Sequence, residues 1–558
     1  MKRGNLFRSN KKTMDPNNFL QEEKFHFYLE KVQLDGLTLS VVVAQFEVIC
    51  ESIKKIWMST RVLVVLPVMR VMVWLCLALS VLLFIEKLSM AAIILYAKLF
   101  RTCRSGGTYK WMPLPVLAND DVDPELGLLS YPMILVQIPM FNELEVYRLS
   151  IVAVCTLTWP RERLIIQVLD DSTDSATKNL VQMECEKWCK KGMNIQYISR
   201  ENRKGYKAGA LREAMEIDYV KTCDYVAIFD ADHQPPSDFL MQSIPFLVHN
   251  PELALVQARW KFVNADDCFM TRVQEMSLNY HFKVEQESGS LMMSFFGFNG
   301  TAGVWRISAL IEAKGWKDRT TVEDMDLAIR ASLAGWQFLY IGELKVRSEL
   351  PSTYKAYRHQ QHRWACGPAN LFRKIASEIL CAKEVSIWRK MFLIYNFLFA
   401  RRIVSHLVTF FFYCVVIPLS AFFPEVVVPI WGVVLIPTTI SLLNALGTPS
   451  SMHLILIWIL FENVMSLHRC KAVIIGLLET GRVNEWIVTE KLGNMLAEKN
   501  TQVGSKFCER LHFLDIGVGL FLLLCGWQDY GYRMDQYYIF IFPSSLAFII
   551  MGFGFVGR

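Results

Sequence analysis

Residues 225–233 read Tyr225-Val-Ala-Ile-Phe-Asp230-Ala-Asp232-His233. Five apolar residues stop at two carboxylates set two positions apart. The run has the composition of a buried strand. Two carboxylates straight after such a strand repel one another unless something cationic lies between them. A hard divalent cation bridging a diphosphate is the economical partner. Asp-x-Asp alone is a weak signal, but the pattern recurs upstream. Ile165-Ile-Gln-Val-Leu169 runs into Asp170-Asp171-Ser172-Thr173-Asp174, and Val136 runs into Gln137-Ile-Pro139-Met-Phe-Asn142-Glu143. Asp174 has a second simple reading as the cap of the next helix. Strands are expected at Met133–Ile138, Leu164–Leu169, Tyr225–Phe229 and Leu253–Ala258, alternating with helical patterns. That alternation predicts an α/β domain, with ligands at the strand ends.

Working outward, the 558 residues are 53% hydrophobic and only 20% charged, more apolar than a soluble enzyme of this size. Disorder is excluded on that composition. A formal charge of +6 is too mild for a nucleic-acid binder. The 14 cysteines include no Cys-x-x-Cys pair, which argues against a structural zinc module.

The apolar residues cluster at 62–84, 403–423, 426–446, 511–526 and 536–556, and about 20 apolar residues span a bilayer as helix. Five spans are expected. The stretches 37–58, 378–400 and 451–479 are mixed and read as interfacial helices; the last carries Glu462, His468, Arg469 and Lys471. The polar N-terminus has no cleavable signal pattern. The expected organisation is therefore a tail and interfacial helix over 1–61, a first span within 62–99 and a catalytic domain over 100–377. An interfacial helix follows at 378–402, then a transmembrane bundle over 403–558. Basic residues flank the domain (Lys98, Arg101, Arg104, Arg389, Lys390, Arg401, Arg402) but also fill the tail, so the positive-inside rule leaves its orientation open.

Further polar groups complete a chemical set. Glu323, Asp324 and Asp326 open a helical pattern, where the macrodipole alone would favour acids. Lys207 sits beside small residues at a helix start, where it can approach phosphates. Gln360-Gln361-His362-Arg363-Trp364 offers amides, a guanidinium for phosphate and an indole face for a sugar ring.

These motifs, in this order and followed by apolar helices, resemble processive family 2 glycosyltransferases, which include cellulose, chitin and hyaluronan synthases. The strings VQIPMFNE, QVLDDSTD, GYKAGAL, VAIFDAD, FFGFNGTAGVWR, TTVEDMDLA and QQHRWACGPANLF resemble the plant cellulose-synthase-like A subfamily, the glucomannan 4-beta-mannosyltransferases, over about 62–558. The sister C subfamily typically reads DDSDD and HRWHSGP where this chain has Asp171-Ser-Thr-Asp174 and His362-Arg-Trp-Ala-Cys-Gly-Pro368. Departures are His233 for the usual Phe, Ala365 for Ser and Lys204 for a neutral residue.

The resemblance implies an α/β GT-A (Rossmann-like) domain inserted between transmembrane helices of a multi-pass Golgi membrane protein. It implies β-1,4-mannan or glucomannan synthesis from GDP-mannose and GDP-glucose, with a divalent cation, Mg2+ or Mn2+. Asp171 and Asp324 are implied as the catalytic aspartates, Asp171 beside the base and Asp324 as general base. Asp230, Asp232 and His233 are the implied metal ligands. Asp170, Lys207, Glu323, Asn299, Gln360, Arg363 and Trp364 join Asp230 and Asp232 as substrate-binding residues. Residues 481–493 resemble the gating loop of cellulose synthases, with Trp486 at its Phe position and Thr489 and Lys491 able to reach a diphosphate. Partners would be the nucleotide sugar, the growing β-1,4-glycan and the lipid bilayer, with no nucleic acid; a homo-oligomer or an accessory protein is compatible. The alternatives are a β-1,4-glucan synthase using UDP-glucose and, from other classes, a polysaccharide transporter or a noncatalytic scaffold.

Overall fold

The computed structural model describes residues 44–100, 109–114, 128, 130–480, 511–532 and 536–554. It divides into two compact units, Met1–Val71 and Met72–Arg558. The described part of the first is helical, with Phe46, Ile49, Ile53, Ile56 and Trp57 exposed.

The second unit is built on one seven-stranded sheet. Its strands are β1 (Ile134–Met140), β2 (Leu164–Asp170), β3 (Ile195–Ser199), β4 (Tyr225–Ile228), β5 (Leu253–Phe262), β6 (Gly303–Arg306) and β7 (Gln337–Ser348), in the order β3-β2-β1-β4-β6-β5-β7. β3, β2, β1 and β4 run parallel. β6 is antiparallel to both β4 and β5, and β7 returns parallel to β5. The expected strands are present; β3, β6 and β7 are additional to them.

Both faces of the sheet are covered, which is why its central strands are continuously apolar. Leu135, Ile165, Val226 and Leu255 point into one core; Ile134, Val136, Ile166, Val168 and Ala227 point into the other. Gln137 and Gln167 face each other in the register and are fully buried. Gln137 Nε2 donates to Gln167 Oε1 at 2.9 Å, and Gln167 Nε2 donates to Tyr219 Oη at 2.8 Å, which links the two amides across the register. Because β1, β2 and β4 are parallel, their C-terminal ends share one edge. That edge carries Phe141, Asp171 and Asp230.

The Tyr354–Cys381 helix, capped by Thr353, lies beside this edge and brings the Gln360–Trp364 motif to it. Behind it runs the Ile455–Leu478 helix. A Cβ on Gly476 would lie 2.4 Å from the Cys366 carbonyl, so only glycine lets the two backbones meet so closely.

Four described helices are long and apolar enough to cross a membrane: Ala44–Leu99, Ile387–Ser420, Pro449–Leu478 and Phe513–Gly531. Their distribution differs from the sequence reading at three places. The stretch 451–479, read as interfacial from its charges, lies in one of these four helices. Its charges are matched sideways: Arg469 pairs with Glu462, its Nε donates to Gln361 Oε1 at 2.8 Å, and its Nη2 donates to Tyr357 Oη at 3.0 Å. The stretch 378–402 is not one separate helix: its start ends the Tyr354–Cys381 helix, and the rest runs on into Ile387–Ser420. The runs 426–446 and 536–556 form the shorter helices Trp431–Ala445 and Tyr538–Gly552. Pro424 and Pro429 precede the first of these and delay its start.

Candidate active site

The strand edge, the Glu323–Leu333 helix and the Tyr354–Cys381 helix enclose one polar cleft. Its walls include Asp171, Lys207, Asp230, Asp232, His233, Asn299, Glu323, Asp324, Gln360, Arg363 and Trp364. Residues spread over more than 190 sequence positions thus face a common space.

Asp230 and Asp232 follow β4 directly. The Asp230 backbone N–H donates to Thr301 Oγ1 at 2.9 Å, and its carboxylate pairs with Lys207. Lys207 Nζ also donates to the Gly300 carbonyl at 2.9 Å. Burial works against the Lys207 charge, but Asp230 and then Glu323 outweigh it and hold the ammonium above its ordinary range. Asp232 accepts from Ser348 Oγ at 3.1 Å, and its other oxygen lies 3.1 Å from His233 Nδ1.

Asp230, Asp232 and His233 each offer a ligand atom, and these atoms lie within 4.8 Å of one another. His233 Nε2 is shielded from solvent and has no hydrogen-bond partner among the described residues. A buried imidazole grouped with two carboxylates suits a divalent cation with oxygen and imidazole ligands.

Glu323 and Asp324 begin their helix close to Gly300 and Lys207. Burial, and then the neighbouring Asp324 charge, push Glu323 up to about 8. Burial also raises Asp324, against the Met325 N–H that donates to it at 2.7 Å and the nearby charges of Lys207 and Arg363. A carboxyl raised towards neutrality is a suitable general base. Asp326, three residues on from Glu323, turns away from the cleft. It is fully buried and paired with Arg319 and Arg330, so it anchors the helix.

Asp171 lines the cleft and is gripped by Arg200, whose Nε donates to Oδ1 at 2.8 Å and whose Nη2 pairs with Oδ2. Arg203 stacks 3.3 Å over the Phe141 ring in the same wall. Asp170 does not line the cleft. It is fully buried and accepts from Tyr197 Oη at 3.0 Å and the Ser172 N–H at 2.9 Å. Its assignment as a substrate contact is therefore corrected to a brace between β2 and β3. Adjacent residues leaving a strand point to opposite sides, and only one of the two can face the ligand. Asp174 caps the Ser175–Cys189 helix, accepting from the Thr177 N–H at 2.9 Å.

Arg200 and Ser348 had no assigned role in the sequence reading. Their partners are 29 and 116 positions away, and nothing local signals either contact. Trp486, Thr489 and Lys491 lie outside the described residues.

Comparison with known proteins identifies the family. Residues 135–302 match the glycosyl transferase family 2 model, and residues 225–446 match the glycosyl transferase family group 2 model. The chain is 59% identical over 502 residues to glucomannan 4-beta-mannosyltransferase 9 of Arabidopsis thaliana, covering 89% of this chain and 93% of that one. It is also 59% identical over 507 residues to glucomannan 4-beta-mannosyltransferase 1 of Oryza sativa subsp. japonica, covering 90% and 96%. Among solved structures it is similar to the mannosyltransferase PcManGT from Pyrobaculum calidifontis in complex with GDP-Man and Mn2+. That match has a TM-score of 0.43 and 17% identity, over 72% of this chain and 100% of the other. With a GT-A-like domain between apolar helices and relatives this similar along nearly their whole length, the chain belongs to the glucomannan 4-beta-mannosyltransferases, enzymes of glycosyltransferase family 2.

Proposed function

We propose that the protein polymerises a β-1,4-linked mannan or glucomannan backbone from GDP-mannose, with GDP-glucose as second donor, in the Golgi membrane. The observation that carries this reading is the convergence of Asp324, Lys207 and Asp230 in one cleft, in a chain whose relatives bear that activity in their names.

The nucleotide would lie along the strand edge, its base near Asp171 and its diphosphate towards Asp230 and Lys207. Asp230, Asp232 and His233 would hold a divalent cation, Mg2+ or Mn2+, which when bound neutralises diphosphate charge. Asp324 takes the proton from the acceptor 4-hydroxyl. The acceptor oxygen forms a bond to the anomeric carbon from the face opposite the phosphate. The bond from that carbon to the phosphate oxygen breaks, and its electron pair leaves on GDP. One displacement inverts the α-linked donor to a β-linked product. Lys207 and Arg363 offset charge growing on the leaving group. Trp364 offers an indole face to the acceptor sugar.

The test feeds membranes containing the protein labelled GDP-mannose, GDP-glucose and UDP-glucose separately. Alkali-insoluble product from GDP-mannose that mannanase digests is expected. Incorporation from UDP-glucose alone, into cellulase-sensitive product, would overturn the reading in favour of a glucan synthase.

A further inference from the structure

Asn299 stands in the cleft wall, yet its side chain is held from behind. Gln286 Nε2 donates to Asn299 Oδ1 at 2.7 Å, and Asn299 Nδ2 returns a bond to Gln286 Oε1 at 3.2 Å. His281 Nε2 lies 3.4 Å from the same Asn299 oxygen, and its Nδ1 lies 2.8 Å from Glu285 Oε2. The other Glu285 oxygen accepts from Lys87 Nζ at 2.8 Å. Lys87 belongs to the long apolar Leu66–Leu99 helix. A continuous polar chain therefore runs from a membrane-type helix to the turn that faces Asp324.

Two features set this chain apart from ordinary packing. First, the Lys87 and Glu285 side chains are only 15% and 12% exposed. An ion pair so sheltered costs about as much desolvation as its attraction returns, so stability alone is a weak reason to keep it. What it does supply is a fixed geometry. Second, residues His281–Gln286 form a widened helical stretch with i to i+5 hydrogen bonding. Four other described stretches share this wider turn, so what distinguishes this one is the set of side chains it gathers. Here the stretch presents His281 and Gln286 to Asn299, and Glu285 to Lys87.

We propose that Lys87 and Glu285 are positioning residues for the acceptor end of the glycan. Through His281 and Gln286 they fix Asn299, and with it the turn against which the next acceptor sugar must settle. Donor turnover depends on the Asn299 side chain less than extension does, because a water molecule is small enough to reach the anomeric carbon without a sugar-sized support. This inference rests on the reading that the cleft transfers sugar to a growing chain.

The experiment uses the full chain in membranes. Lys87→Met, Glu285→Gln and the charge-reversed double variant (Lys87→Glu with Glu285→Lys) are compared with the unaltered protein. Five quantities are read: GDP release without acceptor, donor KM, KM for short β-1,4-mannosyl oligosaccharides, product length and thermal midpoint. Each single variant is expected to raise acceptor KM on the order of tenfold and shorten the product, since small misplacements at a site cost rates of this order or more. Donor KM and GDP release stay at the unaltered level. The reversed pair restores the ion pair but loses the Glu285 contact with His281, so it recovers only part of the acceptor affinity. If the singles match the unaltered protein in acceptor KM and length, the proposal is overturned. It is also overturned if GDP release and thermal midpoint fall in parallel with extension, the signature of a strut. Should the singles fail to accumulate, Glu285→Asp keeps the charge but draws the carboxylate back, and the same split is required of it. Failure of the functional reading looks different: the unaltered protein then makes no mannan, whatever these variants do.

Discussion

The Lys207 ammonium donates to the Gly300 carbonyl at 2.9 Å, while its carboxylate partner is Asp230. One cation thereby ties a helix, the end of β4 and the 298–301 turn into a single corner of the cleft. Gly300 pays for this closeness with φ +78°, and a Cβ there would lie 3.0 Å from Asp324 Oδ2 and 3.5 Å from Lys207 Nζ. The left-handed backbone costs a non-glycine residue roughly 1–2 kcal/mol before any crowding of Asp324 is counted. Gly300→Ala is expected to lower transfer about tenfold or more at unchanged protein level, each 1.4 kcal/mol being tenfold in rate. The measurement is kcat for polymer formation normalised to membrane-inserted protein. Unaltered kcat would show that the corner tolerates displacement.

Asp324→Asn keeps shape and removes the proton acceptor. Transfer is expected to fall at least ~10²-fold, the usual scale for a general base. Nucleotide affinity should hold, because a base acts in the transition state more than in the ground state. Calorimetry with GDP alongside transfer rates separates the two. Collapse of affinity together with rate would make Asp324 a binding residue.

The clustered ligand atoms of Asp230, Asp232 and His233 predict dependence on a divalent cation. Transfer should drop to background in excess EDTA and return with Mg2+ or Mn2+. Asp232→Asn should abolish transfer and leave the fold intact, since the amide oxygen still accepts from Ser348 Oγ. Full activity in EDTA would remove the cation from the mechanism.

Much of this cleft was legible because chemistry and strand ends coincide in an α/β sheet. Asp171 and Asp230 follow apolar runs that the sheet buries on both faces, and such runs stand out without any alignment. β3 was missed because Ile195–Ser199 is a partly exposed edge strand with a mixed pattern. β6 is four residues opened by a glycine, too short to show alternation. β7 carries Gly342, Glu343, Lys345 and Arg347 among its apolar positions. Lateral pairing was equally hidden: Glu462 and Arg469 counted against a membrane helix, yet they answer one another and the neighbouring helix. Asp170 illustrates the opposite error. Its chemistry matched the motif, and only the direction of its side chain decided its role.

Trp364 lines the cleft on the Tyr354–Cys381 helix beside Arg363, which lies among the charges of Glu323, Asp230 and Asp324. An indole face matches the apolar face of a pyranose ring. Trp364→Ala should therefore spoil extension more than donor hydrolysis. The ratio of polymer formed to GDP released is expected to fall severalfold or more, within the roughly 0.5–1.5 kcal/mol typical of aromatic contacts beyond area burial. Equal loss of both activities would reduce the indole to packing.

The paired carboxyls Glu323 and Asp324 predict two separable responses to pH. Asp324 must be ionised to accept a proton, and burial raises it above the ordinary aspartate value. The acid limb of the transfer rate is therefore expected above the range of an exposed aspartate, with activity falling as pH is lowered. Stability should move the other way. Glu323 is pushed up to about 8 in the folded protein, from an ordinary 4.5. Between those values the folded state holds a proton that the unfolded chain has lost, so stability is greatest below the lower value and is lost as pH rises through the upper one. Glu323→Gln carries a permanent neutral group of the same shape. Its thermal midpoint should change less over that interval, with the advantage over the unaltered protein growing towards alkaline pH. Parallel midpoint curves for the two proteins would mean that Glu323 titrates as it does in water, and that the cleft wall does not withhold it from solvent.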